Sequence, residues 1–169
     1  MSLFNNMCIN DSFFKGCKLI NMYSNLCRNK SKTDSVETPL WIISYLKTNF
    51  FKNEVMFDPT PYNPSFCPKK NRCALTQDWF SPSYVNPPYS NVKKFVERAN
   101  QQFLEHNIKS ILLVKADVIC TKYFKKIFKN THVKFLSVRI KFENYKFKAP
   151  FTSCLIFFGY LKKNTFEVL

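Results

Sequence analysis

Tyr84-Val85-Asn86-Pro87-Pro88-Tyr89-Ser90 closes a short apolar run and precedes an amphipathic stretch. Two consecutive prolines can neither continue a helix nor donate to a sheet ladder, so the backbone here is a rigid turn between a strand and a helix. Asn86 stands before that turn and Tyr89 after it. Together they form a compact cup, in which an amide accepts a hydrogen bond from an amine and a ring offers a flat face. The plainer reading of the same residues is a proline turn with a packing tyrosine.

The flanking sequence places this turn in an α/β fold. Downstream, Val92, Phe95, Val96, Ala99 and Phe103 fall on one helical face, with Lys93, Lys94, Glu97 and Arg98 outside it. Ser90 is the expected N-cap. The continuous apolar run from Ser110 to Val114 suits a strand buried on both faces of a parallel sheet. Thr121 to Lys129 reads as a short helix with Phe124, Ile127 and Phe128 inward. Val133 to Phe142 reads as a strand with Leu136, Val138, Ile140 and Phe142 on one face, and Ser153 to Tyr160 as the last strand.

Upstream, Thr38 is positioned to cap a helix and Pro39 to occupy its first turn. Leu40, Ile43 and Phe50, with Trp41, Tyr45 and Leu46, give that helix its apolar face. Val55-Met56-Phe57 is a strand-type run ending in the stiff loop Asp58-Pro59-Thr60-Pro61-Tyr62-Asn63-Pro64. Strands alternating with helices, then two strands close together, predict a mostly parallel α/β sheet with an antiparallel edge pair at the C-terminus. The 169 residues suit one domain, 37–169, preceded by an irregular arm over 1–36 that is rich in Asn, Ser and Lys.

Composition narrows the function. The net charge of +15 points to a polyanion, most simply nucleic acid, although a lysine-rich coding bias gives the same surplus. The seven cysteines include no C-x-x-C pair, and His106 and His132 lie far apart, which argues against a zinc site. Scattered thiols fit a reduced, cytoplasmic protein. Two glycines cannot build a glycine-rich phosphate loop. No apolar run reaches the roughly 20 residues of a membrane span, and Asp11 breaks up the N-terminus as a signal peptide. The expectation is a protein without metal or membrane, monomeric or weakly dimeric.

In a doubly wound sheet the carboxyl ends of the strands share one crevice. Three features are expected there: Asp58 with its loop, Asp78-Trp79, and Asn86 to Tyr89. Neither a Ser/His/Asp set nor a Cys/His pair accompanies them. Such a crevice suits a reaction that needs positioning more than acid–base strength. Methyl transfer from a sulfonium donor to an exocyclic amine is one, because alignment alone supplies about 7–11 kcal/mol in favourable cases. An amide oxygen and a backbone carbonyl accept the two amine hydrogens, and an aromatic face holds a base swung out of its stack.

Seven stretches in order sharpen this reading. They are Glu37-Thr38-Pro39, the loop from Asp58 to Pro64, Ala74 to Trp79, Val85 to Ser90, Leu112 to Asp117, Arg139 to Phe142, and Ala149 to Ser153. With them, residues 37–159 resemble the phage and viral DNA N6-adenine methyltransferases of the small Dam-like type. The resemblance implies a Rossmann-like class-I sheet, S-adenosylmethionine as donor, a flipped-out adenine in DNA as acceptor, and a cytoplasmic location in a bacterial host cell. It implies that Asn86, Pro87, Pro88 and Tyr89 hold and stack the adenine. Asp58, Pro59 and Asn63 would sit at the donor's methionine end, Asp78 and Trp79 by its adenine, and Thr38 and Pro39 would close over it. Lys115, Asp117, Arg139 and Lys141 would line the nucleic-acid side. RNA adenine methylation and a catalytically inactive, basic nucleic-acid-binding module are the alternatives. Protein-glutamine methyltransferases share the four-residue motif but resemble a different pattern, with a glycine-rich donor loop and a helical N-terminal domain.

Overall fold

Along the central strands apolar side chains alternate between two faces, and both faces are covered. The computed structural model describes residues 36–52, 54–60 and 74–169. Residues 1–35 of the expected N-terminal arm, and Asn63, lie outside the described residues. In chain order the elements are α1 (Leu40–Leu46), β1 (Ser83–Val85), α2 (Val92–His106), β2 (Ser110–Lys115), α3 (Lys122–Ile127), β3 (Thr131–Phe135), β4 (Ser153–Phe158) and β5 (Thr165–Val168). The strands form one sheet in the order β1-β2-β4-β3-β5. β1 and β2 are parallel, as are β3 and β5, whereas β4 is antiparallel to both β2 and β3. Four strands therefore run one way and β4 alone runs back.

This corrects the expected placement of the antiparallel pair. β4 lies inside the sheet, between β2 and β3, and the edge beyond β3 is β5. The expected strand over 133–142 is also shorter. Its last ladder partners are Phe135 and Cys154, and β4 begins at Ser153, so residues past 136 have no strand to pair with. Leu136, Ile140 and Phe142 turn inward as loop residues while Val138 is 52% exposed, which breaks the expected two-residue alternation. At the other end, the run from Val55 contributes a single parallel bridge, Phe57 to Ser83.

One face of the sheet carries Val85, Leu112, Val114, Val133, Ile156 and Phe158 against α2 and α3. The other carries Tyr84, Ile111, Leu113, Leu155 and Phe157 against α1, Phe51 and the loop from Leu136 to Ala149. Two covered faces explain why β2 and β4 are apolar between their polar ends. Each large side chain buried this way contributes about 1.5–3 kcal/mol. Gly159 ends β4 with φ of 79°, and a Cβ there would lie 3.0 Å from the Phe103 ring, so backbone and space both require glycine.

The edge strand is held by polar groups. Thr165 Oγ1 meets His132 Nδ1. The Glu167 carboxylate pairs with the Lys134 ammonium and lies 3.3 Å from His132 Nε2. The bond from Lys134 holds the Glu167 carboxyl below its ordinary value. A carboxyl depressed in the folded state stabilises above its unfolded range, about 4.3, and that support is lost as pH falls through the folded value. Acidification is therefore expected to lower amide protection in β5 before β2 and β4, and Glu167→Gln to remove that pH dependence, as read by hydrogen exchange.

Candidate active site

The parallel strands direct their carboxyl ends to one edge of the sheet. Phe57 N–H donates to Pro82 O and Tyr84 N–H to Phe57 O, which sets the Phe57 segment beside β1. Asp58 and Asn86 are the next residues on each. Their loops touch, since the Thr60 hydroxyl donates to the Asn86 carbonyl at 3.3 Å. Asp58 is half-buried, and its Oδ1 accepts from Thr60 N–H at 2.7 Å. Lys115 ends β2 along the same edge.

The orientation of Asn86 follows from its partners. Its Nδ2 donates to the Val36 carbonyl at 3.2 Å and to Thr38 Oγ1 at 3.1 Å. A carbonyl only accepts, so the amide nitrogen must face Val36 and the amide oxygen is left for another donor. Thr38 Oγ1 also bonds the Tyr84 hydroxyl at 2.9 Å. Burial pushes the Tyr84 phenol far up, so it stays protonated. A chain of three side chains, Tyr84–Thr38–Asn86, thus fixes the amide from the core outward.

Thr38 was expected to cap α1, but its hydroxyl is spent on this chain. Pro39 occupies the N-cap without a side-chain bond. The Leu40 N–H is met instead by Glu143 Oε1 at 3.2 Å, and Glu37 N–H by Asn144 Oδ1 at 3.1 Å. A carboxylate at a helix start also suits the helix dipole. The 136–149 loop therefore holds the segment before α1 against Asn86. Replacing Thr38 by valine is expected to strand the buried Tyr84 hydroxyl and cost about 1–3 kcal/mol. Adding Tyr84→Phe should return most of that loss, because removing both partners is far cheaper than removing one. Urea unfolding of the two single variants and the double variant measures this.

Pro87 and Pro88 are buried, and a single 3-10 turn over Tyr89–Asn91 leads into α2. The helix N-cap is Asn91, not Ser90, and its side chain makes no capping bond to the first turn. The Tyr89 ring meets Phe151 edge to face, with centroids 5.4 Å apart and planes at 83°. Lys115 Nζ lies 4.5 Å from the centroid of each ring.

Asp78 and Trp79 make contacts with α2 and Ala74. Asp78 is exposed and pairs with Arg98 of α2 at 3.6 Å. Trp79 is 2% exposed. Its backbone N–H donates to Gln102 Oε1 of α2, and its indole N–H to the Ala74 carbonyl at 2.8 Å. Asp117, Arg139 and Lys141 are exposed, the last two on the loop that carries Glu143. Tyr84, Thr60, Glu143 and Phe151 had no assigned role in the sequence reading. Phe151 lies inside one of the seven stretches, and Tyr84 directly precedes the motif, so position alone flagged both.

An amide fixed by its core-side partners, a carboxylate and a tyrosine ring lie along one edge of a mixed α/β sheet. The sequence profile of the family described as "DNA N-6-adenine-methyltransferase (Dam)" matches residues 25–156. The chain belongs to that family. It is 33% identical over 110 residues to the DNA N-6-adenine-methyltransferase of Haemophilus phage HP1 (strain HP1c1), an alignment that spans 60% of this chain and 60% of that relative. Among the described residues, no helix is long and apolar enough to cross a membrane.

Proposed function

We propose that this chain transfers a methyl group from S-adenosylmethionine to the exocyclic N6 amine of an adenine in DNA, on a class-I, Rossmann-like sheet. The observation that carries the reading is the orientation of Asn86. With Nδ2 committed to Val36 and Thr38, Oδ1 is the end offered to an amine hydrogen. The Pro87 carbonyl supplies a second acceptor, and the rigid Pro87-Pro88 turn keeps the two in register. Two acceptors on the amine hydrogens turn the nitrogen lone pair away from them, toward the donor, and favour the positive charge that builds on nitrogen. The Tyr89 ring stacks the base once it has left the duplex.

The residues present fit the donor. Half-buried Asp58, at the same edge, is an anion suited to the donor's ammonium group. Pro59, the next residue, and Pro39, before α1, are buried in rigid backbone, and Asn63 and Asp78 complete the proposed donor set. When bound, S-adenosylmethionine supplies an activated methyl carbon with its own sulfonium leaving group. The protein's part is alignment and exclusion of water. Arg139 and Lys141 carry positive charge on the loop that secures Glu37 and Leu40, and Lys115 adds to it at the end of β2, while Asp117 marks the margin of that surface. The net charge of +15 favours a nucleic acid over an uncharged acceptor.

A tritiated-methyl assay offering unmethylated DNA, RNA and protein side by side tests this. Label is expected in DNA. Label in RNA alone, or in protein alone, overturns the assignment of substrate.

A further inference from the structure

The end of β2 carries a charge where a base is to stack. Lys115 Nζ sits 4.5 Å from the centroids of both Tyr89 and Phe151, inside the corner that these two rings make at 83°. The side chain is half-buried and, among the described residues, has no carboxylate partner within salt-bridge distance. The faces of the two rings take the place of a counter-ion. The Lys115 backbone is fixed: its Cα pairs with Ser153 of β4, and the next residue, Ala116, donates N–H to the Thr152 carbonyl at 3.1 Å. Only the flexible stem of the lysine is free to move.

We propose that Lys115 is a positioning residue that plugs the base pocket in the absence of nucleic acid and exchanges its two rings for a backbone phosphate when a base enters. This rests on the reading of Tyr89 as the stacking face. Two arguments support the exchange. A planar base and an ammonium cannot share the face of one ring. Methyl transfer also builds positive charge on the acceptor nitrogen, and a second positive charge a few ångströms away would oppose it. A phosphate next to an extruded nucleotide is the nearest anion a lysine at this edge would meet, and a lysine stem reaches it without any change in the strand. The displaced ammonium thus stays useful: it opens the pocket and holds the strand that fills it.

The test needs no knowledge of the target sequence. The probes are single-stranded oligo(dA) and an abasic strand of the same length, which carries the same phosphates and no bases. In the free protein the Lys115 ε-methylene protons should resonate upfield, shielded by the two rings, with the signal assigned by its absence in Lys115→Met. Saturating oligo(dA) should move that signal to its ordinary position, whereas the abasic strand should leave it in place. In parallel, the salt slope of wild-type binding should be steeper on oligo(dA) than on the abasic strand by about one counterion, roughly 0.7 for a single strand. Lys115→Met should abolish the difference. A shielded signal that persists with oligo(dA) bound, or equal behaviour on the two strands, overturns the proposal. Failure of the methyl-transfer reading looks different: the lysine would move with oligo(dA), yet no nucleic acid would gain a methyl group.

Discussion

Replacing Asn86 by alanine is expected to lower kcat for DNA methylation about 10²–10³-fold, the range found when one preorganised hydrogen-bonding group facing a developing charge is removed. The fold should survive, because Asn86 is only partly buried and its loss strands no core hydroxyl: Thr38 Oγ1 keeps the Tyr84 hydroxyl as a partner. The effect should fall on kcat more than on KM. The amide is already held by Val36 and Thr38, so its oxygen is presented without reorganisation, and the gain is realised as charge develops on the amine. Asn86→Asp is the sharper variant. An acid at this position cannot donate to the Val36 carbonyl while ionised, so it is expected to lose the fixed orientation as well as the amide. Steady-state kinetics with thermal unfolding as a control separates the two losses.

Trp79→Ala is expected to cost about 3–5 kcal/mol of stability, the usual range for deleting a large buried aromatic side chain. The indole packs with Ala74 and the α2 face of the sheet, and its N–H is satisfied by the Ala74 carbonyl. Removing it opens a cavity beneath α2 and leaves that carbonyl without its donor. Trp79→Phe should recover much of the packing but not the bond. Lost activity in the alanine variant is therefore expected to track lost folding, with a lowered Tm preceding any change in donor affinity. Normal stability with a selective loss of donor binding would instead return the side chain to the donor site.

These two positions show what sequence could and could not reveal. The rigid turn after Asn86 was legible because Pro87-Pro88 fixes the local backbone whatever the tertiary context. α2 was legible from the spacing of Val92, Phe95, Val96, Ala99 and Phe103, all of which are buried. β2 was legible because a strand covered on both faces has no polar side to interrupt it. Trp79 reads as a crevice residue because a large aromatic stands beside an acid, whereas its burial against α2 and its bond to Gln102, 23 residues away, lie beyond the reach of sequence. The position of β4 between β2 and β3 was not legible either: alternation along a strand records its two faces, not its neighbours. β5 was not legible because Lys162, Lys163, Asn164 and Glu167 interrupt any apolar run there. Its order depends on Thr165 and Glu167 finding His132 and Lys134 across the ladder. Thr38 was marked as important for the wrong bond. Its hydroxyl serves Asn86, and Glu143, 103 residues beyond Leu40, takes over at the start of α1.

The proposed role of Asn86, orienting an adenine amine for methyl transfer, is tested by incubating unmethylated DNA and S-adenosylmethionine with the wild-type chain and with Asn86→Ala, digesting the product to nucleosides and quantifying N6-methyladenine. N6-methyladenine is expected with the wild type, and a loss of about 10²-fold or more in the initial rate with the variant. Equal rates from the two proteins, or methylation of another base in place of adenine, would contradict it.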